Sequence, residues 1–264
     1  MIDFDLIKNY FPQHLRDNAQ FSNDILKEYI QLMILDYLSS TPYVRKLTFI
    51  GGTNLRLVKG IDRFSEDLDF DCKDMSKEEF VAMTDDILVF LRRSGLNAVA
   101  KDRDNEKLTD FRRNIHFPQL LFDLGLTGHR EKRFIIKIET QDQDVDYSPV
   151  MVNLKGCGFF FPLPVPPDDV LCSMKLSALL ARSKGRDFYD VMFLLGLTQP
   201  NYDFLQKRCD IGSPHELLRA IEDVLMNTDL EVKKKDFEHL LFNKQNSDRI
   251  LHFGEFIKIN LLTV

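Results

Sequence analysis

A β-type run, Leu47-Thr48-Phe49-Ile50, stops at Gly51-Gly52, and a strictly alternating segment, Asp67-Leu68-Asp69-Phe70-Asp71, follows soon after. On extended backbone, residues i and i+2 point to one side. Asp67 and Asp69 therefore project together, while Leu68 and Phe70 turn into a core. Two neighbouring carboxylates repel, so stacking them costs free energy unless cations or protons neutralise them. A divalent metal is the usual solution, and magnesium commonly binds through one or two carboxylates plus phosphate oxygens. Upstream, the paired glycines let backbone approach a ligand closely. They open a helical stretch, 53–59, whose first N–H groups suit an anion. Thr53 adds a hydroxyl donor. Alone, a Gly-Gly turn is most often just a tight turn, and an Asp-x-Asp strand an acidic edge. In succession they make a phosphate-binding turn beside a metal-binding strand, which is a nucleotide site.

A third carboxylate is expected from a neighbouring strand. In Phe134-Ile135-Ile136-Lys137-Ile138-Glu139-Thr140, Lys137 and Glu139 share one face and Ile136 and Ile138 the other. Glu139 either completes the metal set with Asp67 and Asp69, activates an incoming hydroxyl, or forms a cross-strand salt bridge on an exposed polar face. Further along, Lys175, Leu179 and Arg182 lie roughly on one helical face, and Asp187 and Asp190 stand one turn apart on the next helix. Lys137, Lys175 and Arg182 are the candidate cations for a triphosphate. Alternatively, Arg182 or Arg186 pairs with Asp190 and clamps the two helices. Basic clusters at Arg92-Arg93, Arg112-Arg113 and Arg130-Lys132-Arg133 are either solvated surface or phosphate contacts for a nucleic acid.

The chain has 264 residues, enough for one large domain or two small ones. With 35 Lys plus Arg against 41 Asp plus Glu, the net charge of -6 argues against a surface coated in positive charge but permits a local basic groove. Neither a span of the roughly 20 apolar residues that cross a bilayer nor a basic leader before an apolar stretch is apparent, so a cytoplasmic protein without a membrane contact is expected. Four dispersed cysteines and six scattered histidines offer no paired zinc spacing.

Helical periodicity marks 22–39 and 76–94, the latter opened by Ser76 and Glu79 in a capping-box pattern. Strand-like stretches lie near 96–101, 111–124 and 133–140. Beyond 140 the pattern loosens, and Pro162-Leu163-Pro164-Val165-Pro166-Pro167 reads as a linker, because successive prolines continue neither a helix nor a central strand. Helical patterns then cover 168–182, 186–196, 213–226, 231–242 and 247–261. The expectation is an α/β (α+β) domain over 1–160 and a helical domain over 161–264.

Two segments are similar to a known family. Gly51-Gly52-Thr53-Asn54-Leu55-Arg56-Leu57 with Arg63-Phe64-Ser65-Glu66-Asp67-Leu68-Asp69-Phe70 resembles the signature of the AbiEii/AbiGii toxins, nucleotidyltransferases of the DNA polymerase β-like superfamily. The later run from Lys175 to Asp190, a lysine helix followed by Arg186-Asp187-Phe188-Tyr189-Asp190, resembles a second motif of that family. The resemblance implies a polymerase β-like mixed sheet with flanking helices and an appended helical domain. It also implies an NTP substrate with Mg2+ or Mn2+, a toxin of a toxin–antitoxin or abortive-infection system, a DNA-binding antitoxin as partner, and tRNA as acceptor. Gly51, Gly52 and Thr53 match its nucleotide-binding turn, Asp67 and Asp69 its metal pair, and Lys175 and Asp187 the second motif. The superfamily's usual turn is Gly-Ser, whereas here the hydroxyl comes one residue later, at Thr53. A non-catalytic NTP-binding regulator, or transfer to a small molecule or protein, are the rival readings.

Overall fold

The structure, a computed structural model, describes residues 2–101 and 111–262. Its strands build one five-stranded mixed sheet and one two-stranded ribbon. The sheet comprises β1 (Leu47–Ile50), β2 (Asp67–Cys72), β3 (Val99–Ala100), β4 (Phe111–His116) and β5 (Ile135–Gln141), in the spatial order β1-β2-β5-β4-β3. β2 and β5 run parallel, and the other neighbours are antiparallel. The helices of this part are α1 (Phe4–Ile7), α2 (Gln13–Arg16), α3 (Ser22–Ser39), α4 (Gly51–Leu57), α5 (Lys77–Arg93) and α6 (Leu120–Asp123).

β2 and β5 carry the alternation their sequence announces, β5 along its whole length and β2 over its first four residues. Leu68, Phe70, Ile115, Ile136 and Ile138 are buried on one face. Asp67, Asp69, Lys137, Glu139, Asn114 and His116 are only partly covered on the other. The apolar side chains of α3 and α5 belong to the same buried core. The helix over 77–93 starts as expected: Ser76 accepts from the Glu79 N–H at 3.2 Å, and Glu79 returns the bond to the Ser76 N–H at 3.0 Å.

Three expectations need correction. The stretch 111–124 is a strand only to His116. Pro118 lacks a donor, Gln119 takes a left-handed backbone (φ 59°), and α6 follows. The region after 140 is not loose, because β6 (Val150–Gly156) and β7 (Phe159–Val165) form a hairpin. Its two-residue turn, Cys157-Gly158, has positive φ at both positions, as a tight hairpin turn requires. Pro162 and Pro164 are therefore strand residues, not linker. Two apart, their nitrogens point to the same edge of β7, so the ladder to β6 runs through the residues between them.

The chain divides into two compact units: 1–60 with 64–143 and 150–165, and 61–63 with 144–149 and 166–264. The second holds α7 (Asp168–Arg182), α8 (Gly185–Leu195), α9 (Tyr202–Cys209), α10 (Pro214–Met226), α11 (Leu230–Lys235) and α12 (Phe253–Leu262). It has no regular strand among its described residues, and only an isolated bridge joins Arg63 to Leu241. No helix among the described residues is long and apolar enough to cross a membrane.

Candidate active site

The partly covered sheet face is organised in rows across the strands. In one row Asp67 faces Lys137, which faces Asn114; in the next, Ile50, Asp69, Glu139 and Arg112 stand side by side. The Lys137 ammonium lies 3.0 Å from an Asp67 carboxylate oxygen and 3.7 Å from one of Glu139. Arg112 makes an ion pair with Glu139 across the β4–β5 ladder. Of the three roles open to Glu139, the cross-strand salt bridge is the one seen. Burial is the largest influence on the Lys137 pKa and lowers it, but the Asp67 and Glu139 carboxylates together outweigh it and hold the ammonium above its ordinary value.

The glycine turn sits directly over this face. Gly51 has φ +80°, and a Cβ built there would fall 2.1 Å from Asp69 Oδ2. No side chain fits, so only glycine lets the turn and Asp69 coexist. Two buried side chains fasten the turn: Asn54 donates to the Phe49 carbonyl at 2.6 Å, and the Thr53 hydroxyl donates to the Asp67 carbonyl. Thr53, expected to offer its hydroxyl to a ligand, thus ties α4 to β2. The helix begins at Gly51, two residues earlier than its side-chain pattern indicates, because glycines carry no periodicity.

The donor chemistry of Asp67, Asp69 and Glu139, hard carboxylate oxygens on adjacent strands, fits magnesium or manganese. In this arrangement Lys137 and Arg112 take the carboxylates. Among the described residues no group of three His, Cys, Asp or Glu is disposed to hold a metal. The cations show that this face attracts positive charge.

The residues of the second motif lie in the helical unit. Asp190 is fully buried and receives both arms of the buried Arg63 guanidinium at 2.8 Å. Lys175 adds its ammonium at 2.9 Å. Burial alone would raise the Asp190 pKa, but Arg63 and Lys175 outweigh it and hold the carboxyl below its ordinary value. Arg182 grips Asp187 with two bonds, of 3.0 and 2.8 Å, and Asp187 also accepts the Lys184 N–H at the start of α8. The helix clamp was expected through Asp190 and Arg182 or Arg186. It forms instead through Asp187 with Arg182, and Asp190 binds Arg63. Arg63 belongs to the first family-like segment but has no role legible there, and neither has its neighbour Asp62, which accepts from Tyr189 at 2.7 Å and Asn246 at 2.6 Å. Nothing local reveals partners so distant in sequence.

A mixed sheet that lays a Gly-Gly turn over an Asp-x-Asp strand has the architecture of a nucleotidyltransferase, and solved structures share the fold. The nucleotidyltransferase toxin MenT4 of Mycobacterium tuberculosis aligns with a TM-score of 0.62 at 18% identity, over 98% of this chain and 90% of its own. JHP933 of Helicobacter pylori aligns at 0.55 and 18%, over 91% and 92%. A putative nucleotidyltransferase of H. pylori aligns at 0.56 and 18%, over 90% and 95%. No curated protein matches the sequence significantly. Residues 34–248 match the family described as nucleotidyl transferase AbiEii toxin of type IV toxin–antitoxin systems, and the chain belongs to that family.

Proposed function

We propose that the chain transfers a nucleoside monophosphate from an NTP to an acceptor hydroxyl, with tRNA as the acceptor. It would act as the cytoplasmic toxin beside a DNA-binding antitoxin. The observation that carries this reading is Gly51 packed against Asp69, which joins the turn and the carboxylate strand into one site. Asp67 and Asp69 would hold Mg2+ or Mn2+, with Glu139 as the third carboxylate. When bound, the metal neutralises charge on the triphosphate.

The acceptor oxygen forms a bond to the α-phosphorus as the bond from that phosphorus to the bridging oxygen breaks. Pyrophosphate leaves with the electron pair, and the hydroxyl proton passes to Glu139. Gly51 and Gly52 give the phosphates close access to backbone, and Lys137 offers the adjacent positive charge. On the helical unit, Lys175 keeps ammonium donors beyond its Asp190 bond, and Arg182 is partly exposed. Both are proposed as phosphate contacts, with Asp187 orienting Arg182. The functional division proposed is a transferase core over 1–160 and a helical domain over 161–264.

A second reading has one observation in its favour. Lys137 and Arg112 already balance Asp67 and Glu139, as a non-catalytic nucleotide-binding protein would need. One experiment separates the two: purified protein with total tRNA, Mg2+ and each α-labelled NTP, beside Asp67→Asn. Label in tRNA that vanishes in the variant is the expected outcome. Equal labelling by both proteins removes Asp67 from the mechanism, and NTP binding without label in any acceptor favours the regulator.

A further inference from the structure

On the same sheet face, past the carboxylates, the side chains change sign. The register sets His116 opposite Ile135 and Val99, and the Lys101 N–H bonds the Asn114 carbonyl at 2.9 Å, extending the β3–β4 ladder by one residue. Lys101 therefore continues the row Asp67–Lys137–Asn114. At the other end of β5, the Phe117 N–H bonds the Phe134 carbonyl at 3.0 Å, which places Phe134 among the buried residues and Arg133 on the open face. Lys101 and Arg133 are exposed, and among the described residues neither makes a salt bridge. Both reach His116: burial lowers its pKa first, and the charges of Lys101 and Arg133 lower it further. Lys137 and Arg112 sit on carboxylates, whereas among the described residues Lys101 and Arg133 form no ion pair.

Its place in the sheet says which anion it suits. The glycine turn flanks Asp67 and Asp69 on the β1 side, whereas Lys101, His116 and Arg133 lie on the β5–β4–β3 side. Three strand spacings of about 4.8 Å separate β2 from β3, so the cations stand roughly 10–15 Å from the carboxylates. A nucleic-acid strand advances about 3.4 Å per nucleotide when stacked, so that span corresponds to about three or four nucleotides.

We infer that Lys101, His116 and Arg133 form a subsite for the backbone phosphates of the acceptor strand, about three or four nucleotides from the reacting hydroxyl. This rests on the proposed transfer to RNA. The phosphates meet the Lys101 and Arg133 charges and the His116 imidazole, and the strand's end is delivered to Asp67 and Asp69. The contacts read the backbone, not the bases, so they position an acceptor without choosing its sequence.

The test uses the full chain and the double variant Lys101→Glu/Arg133→Glu, with Lys101→Arg as the conservative control. Fluorescence anisotropy with a labelled tRNA transcript across a salt series reads binding, α-labelled NTP incorporation reads transfer, and calorimetry reads NTP affinity. The expected result is RNA binding weakened about tenfold or more, with the salt slope reduced by about 1.4 for two lost phosphate contacts. NTP affinity should stay unaltered, and Lys101→Arg should bind RNA like the parent. If the parent labels tRNA and the double variant matches it in RNA affinity and salt slope, the subsite is wrong while the transfer reading stands. If the parent binds tRNA without labelling it and the variant loses binding, the subsite stands and the transfer reading falls. A parent that neither binds nor labels tRNA overturns both.

Discussion

Gly51 carries two constraints at one position. Its φ of +80° lies where side chains are strained, and a Cβ would overlap the Asp69 carboxylate. Gly51→Ala should therefore cost about 1–3 kcal/mol of stability or push Asp69 out of place. In either case NTP-dependent labelling should collapse, whereas Gly60→Ala, which shares the strained positive φ (+76°) but meets nothing within 4 Å, should keep it because Asp69 stays in place. Side-by-side urea melts and transfer assays read both, and labelling by Gly51→Ala at the parent rate would mean that the close approach has no functional part. Lys175 poses a sharper question, because its ammonium is on Asp190 and it is also proposed at phosphate. Lys175→Met leaves both Arg63 bonds on Asp190, so stability should fall modestly. Loss of a phosphate contact should lower transfer by on the order of 10²-fold. Transfer reduced only in proportion to the folded fraction would make Lys175 a structural group alone.

At the scale of elements, α3 shows a titration built into a helix start. Asp24 lies in its first turn, where the helix dipole favours a negative charge. Yet burial pushes its pKa from 3.8 up to about 6, with Lys27 opposing and Glu66 and Glu28 reinforcing the rise. A carboxyl whose folded pKa is raised contributes stability below its unfolded pKa, and that contribution is lost as pH climbs through the folded value. The chain should therefore lose stability from this group between pH 3.8 and about 6. Asp24→Asn should remove that slope and stabilise the protein at pH 7 by on the order of 1–3 kcal/mol. Denaturant titrations of both proteins at pH 4 and pH 7 check it, and parallel pH profiles would mean that Asp24 is solvated. The elements differ in how far the sequence discloses them. β2 and β5 are legible because apolar and polar residues alternate over 67–71 and 136–139, and α5 because Ser76 and Glu79 cap it. The β6–β7 hairpin is hidden because prolines occupy its strand. The site follows the same division. Asp67, Asp69, Lys137 and Glu139 each stand out locally, whereas Arg112, Asn114 and His116 do not, because Arg113 between them breaks the polar alternation of their strand. Only the register of β4 on β5 discloses that they share the face of the carboxylates, and register depends on long-range pairing.

The two compact units interleave in the sequence. Residues 61–63 and 144–149 belong to the helical unit although they interrupt the sequence of the sheet unit. The short insertion Ile61-Asp62-Arg63 does structural duty there: Arg63 is 1% exposed and satisfies Asp190, which is 0% exposed, while Asp62 receives Tyr189 and Asn246. A fragment of residues 161–264 keeps Asp190, Tyr189 and Asn246 but lacks these partners. Removing one partner of a buried ion pair costs about 3–5 kcal/mol, a large share of the 5–15 kcal/mol that stabilises a typical domain. Lys175 remains on Asp190 and softens the loss without supplying the two-armed geometry. The isolated fragment should therefore show helical circular dichroism but a broad, weakly cooperative melt, whereas the full chain melts sharply. Full-length Arg63→Met should fall between them, because it retains Asp62. A fragment that melts as cooperatively as the intact protein would mean that 61–63 is a mere visitor to the helical unit, and that a cut at 160 is the true domain boundary.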